Sequence, residues 1–172
     1  MKKSLIAGVF VASSAFVGAA NAFDGTINFT GTITGASCNV TADGGTTTPV
    51  DLGTVSSKAL STIGETASRA PLQIVLSACP AALTSAVVKF DGKSDAADST
   101  LLALTTGGAT GVAVGLYEED GNTKIPLGSD SISKPLVADA ETEFNFVAKY
   151  VATGPVVEGA ANAVAQFTVV YN

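Results

Sequence analysis

The chain has 172 residues and a net charge of −6, with 9 Lys and Arg against 15 Asp and Glu, two Cys, and neither His nor Trp. Without histidine there is no Ser-His-Asp triad, no Cys-His pair and no histidine general base, and the acidic balance makes the chain a poor ligand for nucleic acid or an anionic membrane. Charged residues make up only 14% of the chain and hydrophobic ones 47%; the abundance of Thr, Val, Ala and Gly is that of a β-forming chain, not a disordered one.

Residues 1–22 have the layout of a cleaved secretory signal: Lys2 and Lys3, an apolar run from Leu5 to Val17, then small residues ending in Ala20-Asn21-Ala22. A retained membrane anchor is the competing reading, but the run is shorter than the roughly 20 residues a spanning helix needs. Cleavage leaves 150 of the 172 residues, beginning at Phe23 outside the cytoplasm. That length suits one domain with a single core.

The first element of this mature chain is an alternating arm, 23–35, in which Ile27, Phe29, Gly31 and Ile33 share one face. The alternative is an ordinary first strand of the domain's own sheet, with Gly31 marking a bulge. The remaining residues, 36–172, form the body. Its expected strands are 37–41 around Cys38; 49–55 after a Gly/Thr-rich loop; 72–79, ended by Pro80; and 86–90 up to a turn at Asp91-Gly92. Val112, Val114 and Leu116 alternate up to Asp120-Gly121, a strong hairpin dipeptide, and 124–127 supply the return strand. Phe144, Phe146, Ala148 and Tyr150 share a face of the next strand. In the last, Ala165, Phe167, Val169 and Tyr171 lie on one face and Gln166, Thr168 and Val170 on the other; nothing later in the sequence is available to pair with it. Residues 59–67 and 95–104 carry at most a helical turn. Short strands with turn signals between them and no convincing amphipathic helix predict an all-β sandwich.

In an exported protein, Cys38 and Cys79 most simply make one disulfide. Closing a loop of 41 residues, it stabilises by about 4 kcal/mol in the chain-entropy estimate. A metal site is the competing reading, and the lack of histidine and of a second cysteine pair weighs against it. The run Glu118-Glu119-Asp120 before Gly121 is either a cation site or, as expected of a hairpin tip, a solvated turn. No glycine loop followed by Lys and Ser or Thr is present to cradle a phosphate, and nothing favours a carboxylate pair for glycoside hydrolysis. The expectation is a protein with no catalytic residues, cofactor, metal or small-molecule substrate.

The arrangement resembles the pilins assembled by the chaperone-usher pathway, in particular the type 1 major fimbrial subunit family. The resemblance spans the mature chain: the alternating arm with its glycine, a cysteine just after it, Val50-Asp-Leu-Gly-Thr-Val55 and the second cysteine. Late in the chain it rests on Phe146-Val-Ala-Lys-Tyr150, Ala152-Thr-Gly154, Gly159-Ala-Ala-Asn162 and the strand with Tyr171 next to last. It implies an incomplete immunoglobulin-like sandwich that lacks its final strand and is completed by a donor strand from another subunit. It also implies a periplasmic chaperone that first fills the open groove and an outer-membrane usher that exchanges it for the next subunit's arm. On this chain Ile27, Phe29 and Ile33 would enter a neighbour's groove, Gly31 would sit where the groove is too shallow for a side chain, and Phe167, Val169 and Tyr171 would line this subunit's own groove. The implied function is a structural subunit of an extracellular fimbria that supports adhesion, a head-to-tail polymer of itself or with other pilins. The alternatives are a minor adaptor pilin and a free-standing secreted immunoglobulin-like binding module.

Overall fold

The computed structural model describes residues 27–31, 33, 35–42 and 49–172. The expected signal segment 1–22 lies outside the described residues, as do the start of the arm and the loop 43–48. The chain divides into two units, one reaching Ile33 and the other comprising Thr34–Asn172. In the first, Ile27, Phe29 and Ile33 are exposed, and a side-chain atom added at Gly31 would meet nothing within 4 Å.

The second unit is built from antiparallel strands because its apolar residues recur with a period of two along most of its length. One sheet contains, in spatial order, β1 (Asn39–Ala42), β2 (Thr66–Ser77), β8 (Thr142–Val157), β5 (Thr110–Glu118) and β4 (Leu102–Ala103), with β6 (Lys124–Ile125) also pairing β5. The second sheet has three strands in the order β7 (Lys134–Pro135), β3 (Ser85–Gly92) and β9 (Ala165–Tyr171). The two pack face to face as a sandwich. Ile74 and Leu76 of β2, Phe144, Phe146 and Ala148 of β8, Leu116 of β5, and Ala86, Val88 and Phe90 of β3 form the buried layer between them. The Phe90 ring meets that of Phe146 edge to face at 5.0 Å between centroids, a favoured aromatic geometry that ties one sheet to the other.

Each strand's length has a local cause. β8 alternates from Phe144 to Ala152 with its core-facing residues buried and, as the central strand of its sheet, is paired by β2 on one side and β5 on the other. Pro71, which cannot donate to a ladder, is tolerated in β2 because β1 covers only Ile74 to Ser77 of its other edge. The β5–β6 turn is held by Asp120, whose carboxylate accepts hydrogen bonds from Asn122 N (2.7 Å), Thr123 N (2.9 Å) and Thr123 Oγ1 (2.7 Å). The Arg69 guanidinium donates to Glu119 O and Lys149 Nζ to Gly121 O at the same turn. The acidic run is thus a hairpin tip, and among the described residues no group of three His, Cys, Asp or Glu side chains is placed to hold a metal ion.

Several expected elements differ. Residues 49–55 are not a strand: the Asp51 carboxylate accepts from Gly53 N at 2.8 Å, and Gly53 takes φ +64°, so a local turn breaks the extended geometry that the alternation of Val50 and Leu52 suggests. Val50, Leu52 and Val55 nevertheless pack against the core. The helical turn lies at Ser57–Leu60, a 3-10 turn capped by the Ser56 hydroxyl, and β2 starts as early as Thr66. Its first residues did not read as a strand because a bulge between Ala67 and Ala70, with Ser68 at φ +66°, breaks the alternation. β4 occupies part of 95–104, and β8 continues seven residues past Tyr150 to Val157.

Candidate assembly groove

β3 is covered along both edges, but β9 is paired only by β3 among the described residues. The register pairs Ala86 with Tyr171, Val88 with Val169, Phe90 with Phe167 and Gly92 with Ala165. One residue further on, Ser85 and Asn172 exchange both backbone bonds, Ser85 N to Asn172 O at 3.2 Å and Asn172 N to Ser85 O at 2.9 Å. Hydrogen-bonded and non-bonded pairs alternate along an antiparallel ladder, so Val170, Thr168 and Gln166 direct their backbone groups to β3. The N–H and C=O groups of Ala165, Phe167, Val169 and Tyr171 therefore point away from β3, to the open edge. Phe167, Val169 and Tyr171 are also the β9 residues whose side chains pack, half-buried, against the core. One set of residues thus presents both apolar side chains and backbone groups left unpaired among the described residues.

Alongside the first part of this edge lies a groove of about 1310 Å³. Its floor is the core face of the larger sheet, with Leu72, Val114, Leu116 and Tyr150, and Phe90 and Phe167 come from the smaller one. Residues 50–57 also line the groove. Such apolar surface is costly to leave in contact with water at roughly 25 cal/mol per Å², and a groove of this size is far more than a packing defect. Phe167 lines the cavity itself, whereas Val169 and Tyr171 continue the same edge beyond it.

At the end nearest Ala165 the groove is bounded by a strap, residues 158–164, that joins β8 to β9. Ala109 N donates to Ala160 O (2.8 Å), Thr105 N to Asn162 O (2.7 Å) and the Tyr150 hydroxyl to Ala161 O (3.0 Å). Gly108 is required at this crossing, because a Cβ there would overlap the Ala160 carbonyl. Burial, and secondarily the charge of Asp51, pushes the Tyr150 phenol above its ordinary range, so it remains a hydrogen-bond donor at neutral pH. At the other end of the sandwich, Cys38 and Cys79 are joined by a disulfide with 4.2 Å between Cα atoms, clamping the start of β1 to the residues just after β2. Tyr150 and the strap were not singled out from the sequence as parts of a site. The signal present was the Gly-Ala-Ala-Asn run, which names no chemistry.

A fimbrial protein family model matches residues 27–172. The chain belongs to the fimbrial protein family. Long polar fimbria protein A of Salmonella typhimurium is 37% identical over 99% of this chain and 97% of its own length. The type-1 fimbrial protein subunit of Serratia marcescens is 36% identical over 99% of both chains. Among solved structures, a type I fimbria protein of Burkholderia pseudomallei is 39% identical, with a TM-score of 0.61 over 86% of this chain and 97% of that one. The P pilus rod subunit PapA superposes with a TM-score of 0.68 over 80% of this chain and all of that one; at 23% identity it speaks for the fold alone. The sandwich is therefore the immunoglobulin-like fold of pilins, and this fimbrial protein is a structural subunit of a surface fimbria.

Proposed function

We propose that this fimbrial subunit polymerises head to tail, each copy donating its 23–35 arm to the groove of the next. A periplasmic chaperone first lends a strand to β9, and an outer-membrane usher exchanges that strand for the arm as the fibre is exported to the cell surface. In this reading Phe167, Val169 and Tyr171 receive the donor strand on their free backbone groups, Ile27, Phe29 and Ile33 supply the missing core side chains, and Gly31 passes a constriction. The protein works by binding and load-bearing, without a catalytic step. Strand addition draws affinity from the backbone ladder and selectivity from alternate side chains, which is what an alternating arm offers. Since arm and groove are different surfaces, the contact is heterologous and propagates as a filament.

The observation that carries this reading is the coincidence, on one edge of β9, of free backbone groups and half-buried apolar side chains beside an open apolar groove. The test is expression of the mature chain with and without residues 23–33 together with its cognate chaperone. Size-exclusion chromatography and electron microscopy should show fibres from the full mature chain and only chaperone-bound or aggregated species from the shortened one. A full mature chain that stays monomeric and stably folded after release from the chaperone would overturn the proposal.

A further inference from the structure

Arm exchange determines which surfaces of consecutive copies face each other. Each of Ala165, Phe167, Val169 and Tyr171 turns its free backbone groups to an incoming strand, so the residue opposite each shares its face and points into the core. The arm offers four such positions, Ile27, Phe29, Gly31 and Ile33. Laid antiparallel in full register, Ile27 meets Tyr171, Phe29 meets Val169, Gly31 meets Phe167 and Ile33 meets Ala165, so the smallest arm residue faces the edge phenylalanine and a large one faces the edge alanine. Laid parallel, Phe29 meets Phe167 and Ile33 meets Tyr171, which sets bulk against bulk in a close-packed layer. The antiparallel order also brings Ile33 to the Ala165 end, where the open cavity lies.

The sandwich has two distinguishable ends. At its base are the Cys38–Cys79 disulfide, Asp139 N on Cys79 O and Leu136 N on Thr84 O, with Tyr171 nearby through its pairing with Ala86. Val137, between those two anchored residues, is 62% exposed. At the top are Ala165 with its partner Gly92, and two exposed valines on the rim of the groove, Val157 at 59% and Val164 at 65%. In the antiparallel order, Ile33 of the donor leaves the acceptor at this top. Its Cys38, five residues on, lies at most about 18 Å further away when the chain is fully extended. The base of the donor is thereby tethered within that reach of the acceptor's top.

We propose that Val137 at the base of one copy docks on Val157 and Val164 at the top of the next, a second apolar contact between consecutive copies beside the inserted arm. This rests on the arm-exchange reading and adds to it a surface that governs how rigidly neighbours sit. The occupant is a second copy of this chain, held there by the length of the segment between Ile33 and Cys38 and by continuity with the groove.

The test uses fibres of the full mature chain, grown with its chaperone, carrying Val137→Cys together with Val164→Cys, or Val137→Cys together with Val157→Cys. After mild oxidation and full denaturation, non-reducing electrophoresis should show a ladder of linked copies for at least one pair, and no ladder for single variants or for the chaperone-bound monomer. Fibres that form without either ladder overturn the contact alone, as does efficient dimerisation of the Val137→Cys single variant, which reports base-to-base packing. A parent chain that forms no fibres overturns arm exchange and this contact with it. As a second readout, fibres of Val137→Glu with Val164→Glu should break under shear into pieces several-fold shorter than the parent's, and Val137→Lys with Val164→Glu should restore their length; equal lengths throughout count against the proposal.

Discussion

At the scale of single residues, a few polar side chains hold the irregular segments in place. The Tyr150 hydroxyl connects the groove floor to the strap through Ala161 O. Replacing Tyr150 by Phe keeps the ring and removes one hydrogen bond, so urea unfolding should show a loss of about 1 kcal/mol. Asp98 organises the segment before β4: its carboxylate accepts from Thr100 Oγ1 (2.6 Å) and Thr100 N (2.9 Å) and lies 3.5 Å from Lys124 Nζ. The Thr100 bonds, with a smaller contribution from Lys124, hold this carboxyl below its ordinary range. The folded state therefore binds this proton less readily than the unfolded chain does. The stabilisation is complete above the unfolded carboxyl's value, about 3.9, and is lost as pH falls through the lower folded value. Asp98→Asn should accordingly be less stable than the parent at pH 7, and the difference between their thermal midpoints should shrink as the solution is acidified below about pH 4. An unchanged gap would show that Asp98 contributes nothing through its charge.

At the scale of elements, the covalent and aromatic ties are separable. Cys38→Ser with Cys79→Ser releases β1 from the end of β2 and should cost about 4 kcal/mol by chain entropy, read as a fall in denaturation midpoint that matches the effect of a reductant on the parent. Phe146→Ala removes the ring that meets Phe90 across the sandwich and stacks near Phe144. It should cost roughly 3–5 kcal/mol, because a rigid two-sheet core collapses poorly into the cavity. Strands whose signal is local were legible in the sequence: β9 and the core-facing half of β8 alternate cleanly, and Asp120-Gly121 marks its hairpin. The misread elements were those whose geometry is decided elsewhere. Residues 49–55 alternate like a strand but find no ladder partner among the described residues and turn at Gly53. The start of β2 is a strand although Ser68 breaks its alternation, because β8 supplies the pairing on either side of the bulge.

At the scale of the whole molecule, the constriction proposed for the arm gives a further expectation. Gly31→Arg should leave binding to the chaperone intact and abolish fibres, checked by co-purification and by negative-stain microscopy of the same preparation; normal fibres would remove Gly31 from the mechanism. The alternating arm, the cysteine pair and the fimbrial family were all readable from the sequence, because each is carried by residue type and spacing along the chain. The resemblance implied a groove along Phe167, Val169 and Tyr171, but the rest of its lining was not readable. Residues 50–57, Leu72, Phe90, Val112, Val114, Leu116, Ala148, Tyr150 and 156–167 are brought together by antiparallel pairings between segments far apart in sequence, and no local period encodes such a surface. The β9 alternation announced by itself that one face is apolar. That the same residues also carry free backbone groups was decided only by the register with β3, since one step of slip would exchange the two sets.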